Sequence, residues 1–299
     1  MRPLSERQKR WAEAAFVNGP LRPIASVAFR ALLNLEAAAA ARLPARDPDC
    51  GFSDVTALIK TFERPAQCAR LIRSIHRLYP DMNVVVVDDS RQPRPISGTK
   101  SVILPFDSGV SAGRQAGLAH ITTPFVLNLD DDFLLYGGSR VGAALMTLRD
   151  HPEIDLIGGR VIDLPLMIEH DFRNARLHPT AATSVVPTGT RIGDVEMLDK
   201  VPNFFLARTE SVLAVGWDKQ LKRLDHADFF TRAKGRIVSG LLRHFRVLHL
   251  RDPFNAYYRA HRDRIDDDLA LLAAKYPAAG KANHRAAPAL APSTEDPET

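Results

Sequence analysis

The segment FVLNLDDDF, residues 125–133, decides the fold because it joins a short apolar run to three consecutive carboxylates. A nearly continuous apolar run of this length is typical of a strand that is buried on both faces in a parallel sheet. Carboxylates at the end of such a strand lose hydration and repel one another, so another charge must compensate them. A divalent cation is the simplest compensation.

The spacing of the three aspartates predicts how a cation would bind. Side chains two residues apart in an extended segment point the same way, so Asp130 and Asp132 are placed to share one ion while Asp131 faces elsewhere. Hard oxygen ligands favour Mg²⁺ or Mn²⁺, which prefer to share their coordination with substrate phosphates. A solvated acidic turn is the alternative interpretation, and the buried strand in front of the aspartates favours the metal site.

The composition indicates a globular protein with a small basic excess. Its 299 residues, 45% of them apolar, suffice for one large domain or two modest ones. The net charge of +5 suits anionic substrates or a membrane surface, but it is too diffuse to indicate nucleic acid. Only Cys50 and Cys68 are present, so we expect no disulfide framework, no cysteine metal site and a reducing compartment.

Residues 1–50 are predicted to form an N-terminal helical extension, rich in Ala, Leu and Arg. No signal peptide is evident, and the best apolar window, residues 21–43, is interrupted by Arg30, Glu36 and Arg42, which argues against a transmembrane helix. Basic and aromatic side chains in this extension suit peripheral contact with anionic lipid, and packing on the domain or on a second subunit is the alternative. We expect a cytoplasmic protein that works at the inner membrane.

Strands alternate with helices from residue 55 onward. Strands are predicted at residues 55–60, 83–87, 101–106 and 125–130, and later at residues 155–161, 201–208 and 245–250. The alternation predicts an α/β domain over residues 51–262, with a single doubly wound, mostly parallel sheet flanked by helices. Residues 163–194 are less regular and suit an acceptor-side loop. Residues 263–299 are predicted to form a helix and a disordered tail.

Ligands of such sheets bind at the carboxyl ends of the strands, and the unusual residues of this sequence follow those ends. Residues 61–64 follow the first strand, Asp88 and Asp89 the second, the glycine turn at residues 108–114 the third, and the triple Asp the fourth. Neither a Gly-x-Gly-x-x-Gly fingerprint nor a Walker lysine motif is present, which argues against a nicotinamide dehydrogenase or a P-loop enzyme.

Seven separated motifs follow one another in the order KTFxR, VVDDS, PFxxGxxAGR, LDDDF, GG, NFFLART and HxDFF. In this order they resemble the inverting glycosyltransferases of family two. More narrowly, residues 54–262 resemble the catalytic domain of β-1,4-N-acetylgalactosaminyltransferases of the ganglioside-synthase type. The resemblance implies a GT-A fold, a UDP-sugar donor, and Mn²⁺ or Mg²⁺ as cofactor.

The resemblance also implies roles for individual residues. Around the nucleotide and donor sugar it places Thr61, Arg64, Asp88, Asp89, Arg114 and Asp131, and at the metal it places Asp130, Asp132 and His249. Asp228 would be the base that removes the proton of the acceptor hydroxyl, and His226 is a rival of His249. The sequence departs from the family pattern in two places, since Asp228 stands where the ganglioside-type relatives have Glu, and Gln115 where Asn is common.

Several other residues suit either a ligand or a structural role. Asp107 suits a helix cap or a ligand, and Asn203, Phe204 and Phe205 suit the sugar pocket or the core. We expect surface charges at Asp163, at Asp225 and in the acidic run of residues 263–268.

The sequence therefore predicts a metal-dependent inverting glycosyltransferase that moves a hexosamine such as GalNAc or GlcNAc from a UDP-sugar to a glycan or lipid-linked acceptor. A nucleotidyltransferase is one alternative, disfavoured because residues 60–64 lack the glycines of its usual loop. A non-catalytic protein that binds nucleotide sugars or acts as a scaffold in glycan assembly is another. The donor sugar, the linkage and the oligomeric state stay open.

Overall fold

A computed structural model describes residues 17–48 and 50–277 of the chain. Part of the predicted N-terminal extension, residues 1–16, and the predicted tail from residue 278 onward lie outside the described residues. The helices are α1 Arg22–Ala41, α2 Pro65–Leu78, α3 Val110–Leu118, α4 Val141–Asp150, α5 Thr209–Val215, α6 Asp225–Ala233, α7 Ala256–Arg262 and α8 Asp266–Lys275. The strands are β1 Val55–Thr61, β2 Asn83–Asp88, β3 Lys100–Ile103, β4 Phe125–Asp130, β5 Phe133–Leu134, β6 Leu156–Asp163, β7 Ile168–Glu169, β8 Arg191–Ile192, β9 Val195–Met197, β10 Phe205–Arg208 and β11 Ser239–His249.

One mixed sheet contains all of these strands. Its order is β3-β2-β1-β4-β10-β6-β11-β9-β8, with β5 and β7 paired at one end of β11 and β6. The strands β3, β2, β1 and β4 are parallel, β10 runs antiparallel to both β4 and β6, and β6 is parallel to β11. This arrangement confirms the predicted α/β class and adds an antiparallel strand in the middle of the sheet.

The central strands form because β-branched and apolar residues fill them and both faces of the sheet are covered. All seven residues of β1 are buried, and so are the four valines of β2. One face carries α2 and α4, whose apolar residues share a core with the sheet, and the other face carries α3, α5 and α6. Two helical layers therefore enclose the sheet.

Helix boundaries follow local signals. Pro65 stands at the first turn of α2, where a missing N–H costs nothing, and the buried side of that helix repeats at helical spacing from Cys68 to Ile75. Two late elements differ from the expectation: β10 begins only at Phe205, and β11 begins at Ser239, several residues before the predicted strand. The predicted C-terminal helix is confirmed as α8, and α7 is an additional helix directly before it.

The N-terminal helix α1 differs from the expectation. Among the described residues, α1 is the helix that is long and apolar enough, by length and composition, to cross a membrane. The sequence predicted no transmembrane helix at residues 21–43. Its mean hydropathy stays high because Arg30 and Glu36 are charged residues in a stretch otherwise rich in Ala, Leu, Val and Ile. Its buried residues Leu33 and Ala37 pack in a third apolar cluster with residues of β5, β6 and β11.

Gly117 shows how closely α3 approaches the sheet. A Cβ at this position would lie 2.3 Å from Leu58 Cδ1 and 2.7 Å from Val87 Cγ2, both of them in fully buried side chains. We expect Gly117→Ala to lower the free energy of unfolding by about 1–3 kcal/mol, because overpacking here outweighs the better helix propensity of alanine. Urea denaturation measures the change, and an unaltered midpoint would contradict the close packing.

Candidate active site

Five strands deliver polar residues to the carboxyl edge of the sheet. The last residues of β1, β2, β4, β6 and β11 are Thr61, Asp88, Asp130, Asp163 and His249. Parallel register brings Asp163 beside His249, and Thr61 beside Asp88. The edge therefore concentrates carboxylates, as the sequence predicted from the ends of its strands.

Arg64 holds two of the three adjacent aspartates. Its Nη1 donates to Asp132 Oδ2 at 2.6 Å, its Nη2 donates to Asp131 Oδ1, and its Nε donates to Asp131 Oδ2 at 3.3 Å. Thr61 Oγ1 also donates to Asp131 Oδ2, at 2.7 Å. Burial alone would lower the pKa of Arg64, but the two carboxylates outweigh it and raise that pKa above its ordinary value.

Arg114 holds the first aspartate of the three. This fully buried guanidinium donates from Nη2 to Asp130 Oδ1 and from Nη1 to Asp225 Oδ2, at 2.6 Å in each case. Burial raises the pKa of Asp225, and Arg114 opposes that rise. Asp225, which was expected on the surface, is thus a buried member of the site at the N-terminal end of α6, and that expectation was wrong.

His249 lies between two carboxylates. Its Nδ1 is 2.7 Å from Asp163 Oδ1, and its Nε2 is 3.2 Å from Asp132 Oδ2. Burial favours the neutral ring, but the two carboxylates outweigh it and raise the pKa of His249 to about 10. The expectation that Asp163 is a surface charge was wrong, because its carboxylate orients this imidazole and also contacts His170.

The two aspartates after β2 have different surroundings. Asp89 is buried, with Oδ1 in an ion pair with Lys60 and Oδ2 accepting from the Gly109 N–H at 2.9 Å. Asp88 is half-buried and accepts from the Ser90 N–H at 2.9 Å. Asp89 therefore ties the glycine turn to β1, and its predicted contact with the nucleotide stays a prediction, as does that of Asp88.

Asp228 lies one helical turn beyond Asp225 and has its own partners. Its carboxylate is fully buried, accepts from Arg232 Nε at 2.8 Å and from the Tyr276 hydroxyl at 2.9 Å, and pairs with Lys275 Nζ at 2.7 Å. These partners differ from those of the triple Asp. Arg232 and Tyr276 also line a groove of about 560 Å³, whose opposite wall is residues 180–183 of the irregular segment.

Other candidates have structural roles. The ring of His226 is half-buried and donates to the Val201 carbonyl at 2.7 Å, so it is not a partner of the acidic cluster. Phe204 and Phe205 are core residues rather than pocket walls. Asp107 caps no helix and pairs with Arg223, since Gly109 precedes α3. Within the acidic run, Asp268 is buried rather than exposed and accepts three backbone N–H groups.

Helix α7 covers part of this edge, which the sequence did not predict. The Tyr258 ring lies over the Arg64 guanidinium, with 3.9 Å from Cζ to the ring centroid. The pKa of Arg262, which burial lowers, is raised on balance by Tyr258, Asp132 and Asp130 nearby. No sequence periodicity marks either residue. Lys60 had a signal, because a lysine inside a fully apolar strand requires a buried partner.

The carboxylates at this edge offer oxygen ligands to a cation. In the described part of the chain no group of three or more His, Cys, Asp or Glu side chains is placed to hold a metal ion. Asp130 has 35% of its side chain exposed, whereas Asp131 and Asp132 are almost fully buried, so Asp130 faces the opening. Carboxylate oxygens are the ligands that an ion such as Mg²⁺ takes together with water and phosphate.

Comparison of sequences relates this edge to known enzymes. Residues 56–166 match the sequence model described as "Glycosyl transferase family 2". This part of the chain is therefore similar to family 2 glycosyltransferases, as the motifs predicted. The crystal structure of S. aureus TarS 1-349 has a TM-score of 0.50 to this chain at 16% identity, and the match covers 65% of this chain and 60% of that chain. It confirms the predicted GT-A fold.

Individual proteins with similar sequences show which glycosyltransferases this chain resembles. β-1,4 N-acetylgalactosaminyltransferase 2 of Mus musculus is 34% identical over 201 residues, and β-1,4 N-acetylgalactosaminyltransferase 1 of Homo sapiens is 34% identical over 197 residues. Each match covers 62% of this chain and 37% of the relative. The chain thus spans little more than a third of the length of these relatives.

Removing Arg64 tests the electrostatic basis of the site. We expect Arg64→Ala to lower the free energy of unfolding by about 3–5 kcal/mol, because Asp131 and Asp132 lose their shared buried cation. Urea denaturation at pH 7, without added metal, measures this change in the free energy of unfolding.

Arg149→Ala is the matched control. Arg149 pairs with Asp54 at 2.7 Å, but both side chains are about one-third exposed. Removing such a partly exposed ion pair lowers the free energy of unfolding by about 0–1 kcal/mol. Equal losses in the two variants would contradict a special role for Arg64.

Proposed function

We propose that this protein is a metal-dependent inverting glycosyltransferase that transfers an N-acetylhexosamine, GalNAc in the first instance, from a UDP-sugar to a glycan or lipid-linked acceptor. The observation that carries the proposal is the cluster of Asp130, Asp131 and Asp132 at the carboxyl edge, neutralised by two arginines from other elements. The names of the curated relatives support the sugar. The nucleotidyltransferase and scaffold alternatives are separated by the experiments below.

The donor would lie along the carboxyl edge. In this proposal Thr61, Arg64, Asp88 and Asp89 border the nucleotide, and Asp131 contacts the donor sugar. Arg114 is already paired with Asp130 and Asp225, but its buried Nε has no hydrogen-bond partner among the described residues. A buried guanidinium near the N-terminus of α3 favours the negative charge of a diphosphate.

The metal would be held by Asp130 and Asp132, with His249 behind Asp132. When bound, the ion supplies Lewis-acid stabilisation of the departing diphosphate. His249 first has to lose a proton to offer a lone pair, because both of its nitrogens face carboxylates in this structure. Arg64 keeps Asp131 and Asp132 oriented towards the same space, so the chain presents its oxygens before the donor arrives.

The acceptor would enter from the groove beside α6. Asp228 is our proposed base because it is a carboxylate one turn from the donor-edge residue Asp225, and because two of its partners, Arg232 and Tyr276, line that groove. Inversion requires such a base to take the proton of the acceptor hydroxyl as it attacks the anomeric carbon. Tyr276 and Lys275 have to move aside for the hydroxyl to reach the carboxylate.

The donor site is tested by calorimetric titration of UDP. We expect UDP to bind in the presence of Mn²⁺ and to lose at least tenfold in affinity when a chelator is added. The double variant Asp130→Ala, Asp132→Ala should bind UDP equally weakly with and without Mn²⁺, because the carboxylates that hold the ion are gone.

Two results would count against this donor site. Metal-independent binding of UDP would reject the proposed cation, and absence of binding in every condition would reject the UDP donor. Arg149→Ala serves as the control, since it changes a charge outside the edge and should leave both titrations unaltered.

The base is tested by three variants of α6. We expect Asp228→Asn to keep the affinity for UDP and to lose about 10²–10⁴-fold in sugar transfer, because proton removal is lost while the donor edge is intact. Asp228→Glu should restore part of the activity, since the ganglioside-type relatives have Glu at this place. Initial rates of UDP release and UDP titrations measure the two effects separately.

Asp225→Asn is the comparison variant on the same helix. It loosens Arg114, so we expect weaker UDP binding together with slower transfer. Full turnover by Asp228→Asn would exclude Asp228 as the base. Absence of turnover in the unmodified protein, with intact UDP binding, would favour the non-catalytic alternative.

A further inference from the structure

The helix α1 presents an apolar face that no described residue covers. Ile24, Val27 and Leu35 are 75%, 70% and 67% exposed, and they recur on one side of the helix with exposed alanines between them. A continuous apolar strip of this length is unusual on a water-facing surface. Charged residues of α1 stand on its other sides, so the strip itself is uncharged.

The opposite face of α1 fixes how the helix lies. Leu33 and Ala37 are buried against the ends of β5, β6 and β11. Arg30 pairs with Asp252 at 2.9 Å, and Phe29 packs edge-on against Phe254, with 5.5 Å between ring centroids. The helix is therefore attached along its length to the domain, and its apolar strip points outward in the same direction over several turns.

The distribution of charge identifies the partner. Residues 1–46 contain eight basic and three acidic side chains, whereas residues 47–299 contain 32 of each. The whole net charge of +5 therefore belongs to the segment that carries the apolar strip. A second copy of the chain docked on this strip would bring two such segments together, and like charges oppose that contact. An anionic bilayer surface attracts both features at once.

We propose that α1 lies in the interface of an anionic membrane, with Ile24, Val27 and Leu35 in the acyl boundary and the remainder of the chain on the water side. The helix does not span the bilayer, because its opposite face is packed on the domain. The bilayer would then lie beside the carboxyl edge, since Leu250 of the same apolar cluster donates its N–H to the Asp132 carbonyl at 2.8 Å. This position suits a lipid-linked acceptor, and that last step rests on the proposed function.

The test is sedimentation with vesicles of phosphatidylcholine alone and of phosphatidylcholine with phosphatidylglycerol. We expect the full chain to partition at least tenfold more strongly to the anionic vesicles and to be released by 0.5 M salt or by carbonate, as an order-of-magnitude expectation for interfacial binding. The triple variant Ile24→Gln, Val27→Gln, Leu35→Gln should lose at least tenfold in partitioning. Glutamine is a good helix former and leaves the net charge unaltered, so α1 should persist.

The matched control replaces three exposed apolar residues elsewhere, Met146→Gln, Leu213→Gln and Leu271→Gln, which are 41%, 49% and 37% exposed. It should sediment like the unmodified chain. Equal partitioning of the α1 variant and the unmodified chain would overturn the proposal, and so would sedimentation with neither vesicle. Retention after carbonate would overturn the interfacial position in favour of a spanning helix.

Two further measurements separate the remaining possibilities. Light scattering that shows a dimer converted to a monomer by the α1 variant, without vesicle binding, would assign the strip to a second copy and overturn the membrane proposal. UDP titration of the same samples without lipid tests the proposed function independently. Binding of UDP without binding to vesicles rejects the membrane surface alone, and the reverse result rejects the UDP donor alone.

Discussion

The whole carboxyl edge depends on neutralising three adjacent carboxylates at the end of one buried strand. Asp131 and Asp132 are almost completely removed from water, and ionised carboxylates in that position are stable only with cations or donors in direct contact. Arg64, Arg114, His249 and Thr61 meet this requirement. Each of these four residues comes from a different strand, helix or loop. The contacts that neutralise the carboxylates therefore also stabilise the tertiary structure.

This constraint explains why the edge is both stable and suited to ligands. The arginines keep the carboxylates oriented, and at the buried Asp131 and Asp132 charge interactions are stronger than in solvent. The Asp130 side chain stays partly exposed. Asp225 holds the Arg114 guanidinium, and Asp163 holds the His249 ring. Because these side chains are already held by their partners, they lose little conformational entropy when a charged ligand binds.

Two features outside the sheet connect this edge to its surroundings. Helix α7 places Tyr258 over Arg64 and is joined to α1 through the segment that contains Asp252 and Phe254. The outward strip of α1 and the carboxyl edge therefore belong to one contiguous part of the molecule.

The sequence by itself determined the α/β class, the parallel strands up to β4 and the residues at their ends, because periodicity and motif order are local properties. It did not predict that β10 runs antiparallel in the centre of the sheet, that Asp225 is buried, or that Asp163 is half-buried beside His249. Those outcomes depend on which distant element supplies the partner. Arg114 and Asp225 are 111 residues apart, and only the folded sheet and α6 bring their charges into contact.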